Sequence, residues 1–554
     1  MCVNPAVGRT PWQIAHNLPE PWSPFPVAKW RAALTNHPDR DFVNELLHDI
    51  THGVDLGYTG TPHSHCYPNH LSTLDASEYV ITELTRELDL NRMAGPFLLP
   101  PSQTFVGSPM GAVPKKRSHP LKFRIIHDLS WPRGQSINEY IPAERFRCQY
   151  DTLDRAIALL KQAGKGARMA KLDLSDAYRH VLVRPQDWGL LGASWPIYVD
   201  GELTTGYFVN MFLPFGARSS PAQFLRFASA LNFVSHDRGA NPVWNYMDDF
   251  FTCDSDTASC TQNLDIMIST CEDLGFSFNP AKLVRPTTCL TLLGIEIDSV
   301  KQETRIDSQR LADTLSLLEA WRGRSHCTRR QLQSLLGTLN FICNVCRPGR
   351  TFMRRLLDLL TRASSPSRHI RLTRQSKLDI MWWASFLPTW NGKSIFYDEL
   401  WSSNSSCHLF TDACNTSFGA FFDGAWFCDL FANHNIPLNL SIAFKELYAI
   451  TAALAAWAPS LRGKRLMFHC DNETVVHVIC KGSSTCPNMM GLLRYIFFVC
   501  ASNCLEISAT HIPGYRNNIA DALSRLQVDR FRHLAPQAAR HPTTLPTINW
   551  SHFK

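Results

Sequence analysis

The sequence predicts a chain of mixed α and β class: an α+β unit, then a basic helical module, then a second α/β unit. Three observations predict it. Between Pro101 and about Val300, short β-branched runs alternate with amphipathic stretches, the pattern of strands and helices that share a core. From Lys301 to Ser364 leucines recur at helical spacing, at Leu311, Leu315 and Leu318, at Leu332, Leu335, Leu336 and Leu339, and at Leu356, Leu357 and Leu360, which predicts three helices. At Gly419-Ala-Phe-Phe422, Asp423-Gly424 and Ala425-Trp-Phe-Cys428, two apolar runs flank a favoured hairpin turn, the start of a new unit.

The rest of the chain is read around these parts. Before them lies a Pro- and His-rich stretch with one helical piece, Asp41 to His52, closed by Pro100-Pro101. A Trp-rich connector runs from Met381 to Trp401, a polar linker from Ser402 to Ser406, and a polar tail from about Arg530. With 554 residues, 45% of them hydrophobic and 19% charged, the chain is long enough for several cores and is not a disordered tail protein. The net charge of +7 is modest, but it is clustered: 15 Lys or Arg against 7 Asp or Glu from Val113 to Arg184, and 15 against 5 from Lys301 to Arg374. The remainder is therefore net acidic. Basic faces separated by acidic segments suit a clamp on a polyanion, the alternative being two solvated surfaces.

The 18 cysteines follow no framework spacing and read as reduced thiols of an intracellular protein. Cys343 and Cys346 form a C-x-x-C inside an apolar helical stretch and read as buried thiols; His63, His65, Cys66 and His70 read as a loop and not as a metal site. Prolines at 5, 11, 19, 21, 24 and 26 exclude a signal peptide, and the apolar run Met489 to Cys500 is short and holds Arg494. A soluble protein without a membrane span is expected.

Two sets of acids carry the chemistry. Asn245-Tyr-Met-Asp-Asp249 lies between apolar runs, so Asp248 and Asp249 are expected at the tip of a strand-turn-strand. Ala170-Lys-Leu-Asp-Leu-Ser-Asp-Ala-Tyr178 ends a strand with Asp173 where the chain bends. If the two segments are neighbours in one sheet, three carboxylates meet at one edge and are able to hold two divalent ions for phosphoryl transfer. The second set is Asp412 at a strand end, Glu446 on an Ala-rich helix, Asp471 at another strand end and Asp521 in Ala520-Asp-Ala-Leu-Ser-Arg525. Separated acids at element ends are an odd set for mere solubility.

The first set carries a resemblance. Lys171-Leu-Asp-Leu-Ser-Asp-Ala-Tyr178, Leu213-Pro-Phe-Gly-Ala-Arg-Ser-Ser-Pro221, Tyr246-Met-Asp-Asp249, Gly275 with Lys282, and Leu293-Gly-Ile295 resemble, in family order, the palm motifs of retroelement reverse transcriptases. Ile126-His-Asp-Leu-Ser130, Trp188-Gly-Leu-Leu-Gly192 and Leu335-Leu-Gly-Thr-Leu-Asn340 are more similar to DIRS-like tyrosine-recombinase retrotransposons than to gypsy-class or hepadnaviral relatives. The resemblance implies an α+β right-hand polymerase of fingers, palm, helical thumb and connection. Asp173, Asp248 and Asp249 would be its metal-binding acids. Arg124, with Lys115 or Lys116, would grip the incoming triphosphate. Asp176, Phe215, Gly216, Tyr246 and Met247 would border the substrate, Tyr178 would exclude a 2′-hydroxyl, and Lys282 would approach the pyrophosphate as proton donor. Each basic residue alone could equally be a solvated charge.

The second set resembles, in order and approximate spacing, the four metal-binding acids of ribonuclease H, and His511 in Thr510-His-Ile-Pro-Gly514 matches that family's mobile-loop histidine. An α/β ribonuclease H-like domain is implied. The expected organisation is an N-terminal extension over 1–100, fingers and palm over 101–300, thumb and connection over 301–406, ribonuclease H over 407–527 and a tail over 528–554. The implied cofactors are two Mg²⁺ or Mn²⁺ ions per site. The implied partners are an RNA template, a DNA primer, the RNA–DNA hybrid, deoxynucleoside triphosphates and other proteins of the same retroelement. A nucleic-acid-binding scaffold that had lost its chemistry would show eroded acids, yet all seven and His511 are present. No Asp-Ser-Gly or Asp-Thr-Gly triplet and no zinc knuckle occur, and little chain follows Arg525, so one product or fragment of a larger element is expected.

Overall fold

The computed structural model describes residues 12–61, 63–114, 122–362, 369–390, 392–398, 400–403 and 409–550. Lys115 and Lys116 lie outside the described residues. The chain divides into two compact units, Met1–Thr288 and Cys289–Lys554. Among the described residues, no helix is long and apolar enough to cross a membrane.

The strands of the first unit are β1 (His65–Cys66), β2 (Met93–Phe97), β3 (Val106–Gly107), β4 (Met110–Pro114), β5 (Phe123–His127), β6 (Arg168–Asp173), β7 (Gly192–Val199), β8 (Glu202–Asn210), β9 (Trp244–Tyr246), β10 (Asp249–Asp254) and β11 (Val284–Thr287). They form a five-stranded sheet in the order β1-β3-β7-β8-β2, a four-stranded sheet β11-β6-β10-β9 and the hairpin β4-β5. β6 and β10 read Met-Ala-Lys-Leu and Phe-Phe-Thr-Cys because both lie inside the four-stranded sheet and bury both faces; Ala170, Leu172, Phe250 and Phe251 are fully buried. The helices Ser220–Asp237 and Thr257–Asp273 join its core through Phe224, Phe227, Leu264 and Met267.

Residues 12–61 and 63–100 do not fold apart from this unit. β2 pairs antiparallel with β8, Phe25 and Trp30 share the core with Leu172 and Phe250, and the Trp30 indole donates to the Leu274 carbonyl at 2.9 Å. The proline pair at Pro100 marks a turn between strands, not a domain edge.

The second unit holds β12 (Cys289–Leu292), β13 (Ile295–Asp298), β14 (Glu303–Ile306), β15 (His326–Cys327), β16 (Ile370–Arg371), β17 (Lys393–Ile395), β18 (Trp401–Ser403), β19 (Leu409–Ala413), β20 (Ser417–Phe422), β21 (Ala425–Leu430), β22 (Arg465–Cys470) and β23 (Glu506–His511). The leucine-rich stretch forms the helices Ser308–Arg322, Arg329–Ile342 and Arg354–Arg362. Arg329–Ile342 begins with a capping box between Thr328 and Gln331, which satisfies two otherwise orphaned backbone N–H groups. Cys343 and Cys346 are buried thiols, and the Cys343 thiol is pushed up to about 12 by burial.

Downstream, β19-β20-β21 form an antiparallel sheet and β18-β22-β23 a parallel one, with β19 packed beside β22. The β20–β21 turn is Asp423-Gly424, both at positive φ (44° and 86°), as that dipeptide favours. The helix Ile442–Trp457 is buried along nearly its whole length, which explains its Ala-rich sequence. The described part of the segment read as a tail, residues 528–550, is packed: Phe531 is buried among Phe421, Trp426 and Leu523, Ala539 N donates to the Gly424 carbonyl at 2.8 Å, and the Trp550 ring lies 5.3 Å from that of Phe444. Its apolar residues are too widely spaced to show as a periodic pattern.

Candidate functional site

In the first unit, β6 ends on Asp173 and the β9–β10 hairpin turns through Met247 and Asp248. Met247 takes a left-handed φ of 56°, a strain that a non-glycine residue accepts where the surroundings fix the turn. The register sets Asp249 opposite Asp173, and Leu174 N donates to the Asp248 carbonyl at 3.0 Å, so the three acids reach one sheet edge. Burial, and after it the charges of Asp249 and Asp173, holds the Asp248 carboxyl above the ordinary carboxylate range, against a backbone hydrogen bond and the Lys282 charge.

Two lysines balance this charge. Lys282 Nζ lies 2.6 and 3.0 Å from the two oxygens of Asp173, and that hydrogen bond raises the lysine's pKa. Lys171 Nζ lies 2.8 Å from Asp249 Oδ1. The sequence reading missed Lys171; the available signal was its position two residues before Asp173, hence on the same face of β6. Among the described residues, the group of three metal-type ligand atoms all within 4.8 Å of one another is Glu446, Cys470 and Asp471, so the acids of the first unit do not close to that distance.

The Tyr178 ring lies 5.0 Å from Phe215 and 5.4 Å from Phe224, and burial, followed by nearby groups that include Asp248, raises its hydroxyl pKa. Gly216 has φ 120°, and a Cβ there would meet the His127 carbonyl oxygen at 2.8 Å, so no side chain fits. Tyr246 faces Tyr150 at 5.3 Å between ring centres. Arg124 is exposed on β5, opposite Val113 in the separate β4–β5 hairpin. Asp176 is tied up by Arg92, at 2.9 Å, and by Arg86, a structural pairing that the sequence did not signal.

In the second unit, Asp412 on β19 and Glu446 on the helix Ile442–Trp457 are both buried, whereas Asp471, just after β22, is exposed. Burial, with the charges of Asp412 and Asp471, pushes the Glu446 carboxyl up to about 9. Burial, with Asp471 and Asp521, pushes Asp412 up to about 6, despite a hydrogen bond from Ser524. Asp521 goes the other way: burial raises it, but hydrogen bonds from Arg525 Nε at 2.7 Å and Arg530 Nη1 at 2.8 Å win and lower it. Cys470 was missed as a neighbour; burial pushes its thiol up to about 12, so it is a neutral group beside the acids. His511 ends β23 opposite Cys470 and is exposed. Gly514 follows, where a Cβ would come within 3.0 Å of Asp471 Oδ2. At His70, Nε2 lies 3.0 Å from Asp128 Oδ2, and Cys66 Sγ lies 3.2 Å from Ser194 Oγ; the early His and Cys tract is spent on such pairings.

Residues 116–297 match the family described as reverse transcriptase (RNA-dependent DNA polymerase). The chain carries a reverse transcriptase domain. Among curated proteins, the Transposon Tf2-3 polyprotein of Schizosaccharomyces pombe is 23% identical over 375 residues, 64% of this chain and 25% of the relative. Polyprotein P3 of Commelina yellow mottle virus is 20% identical over 383 residues, 66% of this chain and 19% of the relative. The chain thus spans a quarter or less of the curated relatives it matches. These matches reach retroelement reverse transcriptases without singling out the DIRS-like branch. Among solved structures, the foamy viral protease-reverse transcriptase in complex with RNA/DNA hybrid is 15% identical, covers 90% of this chain and 64% of the other, and gives a TM-score of 0.48. Its dRH form in complex with double-stranded DNA is 15% identical, covers 91% and 84%, and gives 0.48.

Proposed function

We propose that the reverse transcriptase domain is an active RNA-directed and DNA-directed DNA polymerase, and that the second unit carries a ribonuclease H that removes the RNA of the hybrid. The observation that carries the polymerase reading is the pairing of Asp249 with Asp173 beside the Asp248 turn. The nuclease reading is supported by the strand order β21-β20-β19 with β22 and β23 alongside and by Glu446 and Asp471 lying within 4.8 Å. Both acid sets fit divalent cations, because in each at least one carboxyl has its proton affinity raised, first by burial and then by the charges of neighbouring carboxylates. Mg²⁺ or Mn²⁺, when bound, supplies neutralising charge and a more acidic attacking hydroxyl or water.

The chain's own residues do the rest. Asp173, Asp248 and Asp249 would hold the ions of the polymerase site, and Asp412, Glu446, Asp471 and Asp521 those of the nuclease site. Arg124, with Lys115 or Lys116, binds the triphosphate. Phe215, Gly216, Tyr246 and Met247 border the substrate, and the Tyr178 ring leaves no room for a 2′-hydroxyl. Lys282, kept protonated by its carboxylate neighbours, donates a proton to the leaving pyrophosphate. His511 moves protons at product release. A nuclease on the same chain stays with the hybrid at high effective concentration.

The test is extension of a labelled primer on an RNA template with Mg²⁺. The expected result is cDNA growth with deoxynucleotides accompanied by template cleavage. No extension with either Mg²⁺ or Mn²⁺ would favour a silent scaffold.

A further inference from the structure

The two lysines at the polymerase acids are not equivalent. Lys282 is largely exposed, its side chain 58% accessible, and reaches Asp173 from the short turn Pro280–Lys282. Lys171 is built into the sheet. It sits on β6, an interior strand flanked by β11 and β10, opposite Val284 on one side and Phe251 on the other. Its side chain is only 16% accessible. An ammonium at that depth is tolerated when paired, and its partner is Asp249 Oδ1 at 2.8 Å. Because alternate residues of a strand share a face, Lys171 lies beside Asp173 while reaching diagonally to the acid opposite it.

We infer that Lys171 is a resident counter-charge that competes with the divalent cation for Asp249. This rests on the two-cation reading of the polymerase site. Three carboxylates and two ammonium groups leave the edge with one net negative charge. A cation seated on Asp249 must share that carboxylate with Lys171 or displace it, which weakens the site's grip on metal and spares the sheet edge from repulsion when no metal is there. Lys171 is thus a positioning residue: it sets where Asp249 points and how tightly cations are held, without touching substrate.

The experiment is a Mn²⁺ titration of the full chain, followed by electron paramagnetic resonance, with no nucleic acid. Asp412→Asn and Glu446→Gln are present throughout to quieten the other acid set. Lys171→Met keeps the stem and removes the charge; the Mn²⁺ dissociation constant is expected to fall by about threefold to tenfold, as loss of one nearby charge at a semi-exposed site allows. Lys171→Arg keeps the charge and should bind Mn²⁺ like its parent. If Lys171→Met is poorly folded in EDTA, the rise in melting temperature on adding Mn²⁺ reads the same coupling and should exceed the parent's. Equal or weaker Mn²⁺ binding by Lys171→Met would overturn the inference. A parent that binds no more Mn²⁺ than an Asp173→Asn variant would overturn the two-cation reading beneath it, a distinguishable result.

Discussion

In the reverse transcriptase domain, the carboxylates of Asp173 and Asp249 each meet an ammonium group, at 2.6 and 2.8 Å; in the second unit, Glu446 meets burial and the charges of Asp412 and Asp471, and Asp412 meets burial and the charges of Asp471 and Asp521. Both places face the same problem, several carboxylates gathered where water is scarce. One lysine on β6 and another on the turn Pro280–Lys282 balance one cluster. Proton uptake relieves the other, and arginines hold only its outlying member, Asp521. The difference teaches that a cation entering the first cluster competes with fixed positive charge, whereas one entering the second must drive off protons.

The comparison breaks most severely at Asp248. Asp248→Asn should cut primer extension on the order of a thousandfold or more, as loss of a residue acting within a catalytic unit does, while RNA cleavage in a preformed hybrid continues. Glu446→Gln should do the reverse, abolishing cleavage and sparing extension.

Glu446→Gln also sharpens the contrast in protons. The folded carboxyl titrates near 9 against an ordinary 4.5, and Asp412 near 6 against 3.8. Between those values the folded chain binds more protons than the unfolded one, so in EDTA the stability of the second unit should fall as pH rises from about 4 to about 9. Thermal melts of Glu446→Gln should lose most of the decline above pH 6, and Mg²⁺ should shrink it in the parent. A pH-independent parent would contradict the burial account.

Smaller effects test single contacts. Tyr178→Ala should lower discrimination against ribonucleotides by roughly tenfold to 200-fold, the range that one steric group supplies, measured as the ratio of kcat/KM values. Gly514→Ala would press a methyl group against Asp471; cleavage should slow by about tenfold, within the range a misplaced catalytic group costs, with extension unchanged.

How much of this was legible in the sequence depends on the distance between partners. Asp248 and Asp249 could be read because a short hairpin presents both, and Asp173 because its strand and bend are contiguous. The hairpin at Asp423-Gly424 and the three leucine-spaced helices were legible for the same local reason. Lys171 was not, since its role follows from the register between β6 and β10, strands that begin at residues 168 and 249. The incorporation of β2 into the sheet of β7 and β8 was equally hidden. Arg530 escaped notice because its short helix, Val528–Leu534, carries a single buried residue, Phe531, too little to show a periodic face.

The account turns on carboxylates from distant segments converging on cations in two places. Crystals of the full chain soaked in Mn²⁺ and measured for anomalous scattering test it directly. Manganese peaks bounded by Asp173 and Asp248 in the first unit, and by Glu446 and Asp471 in the second, are the predicted result. Strong peaks elsewhere, with neither acid set occupied, would contradict it.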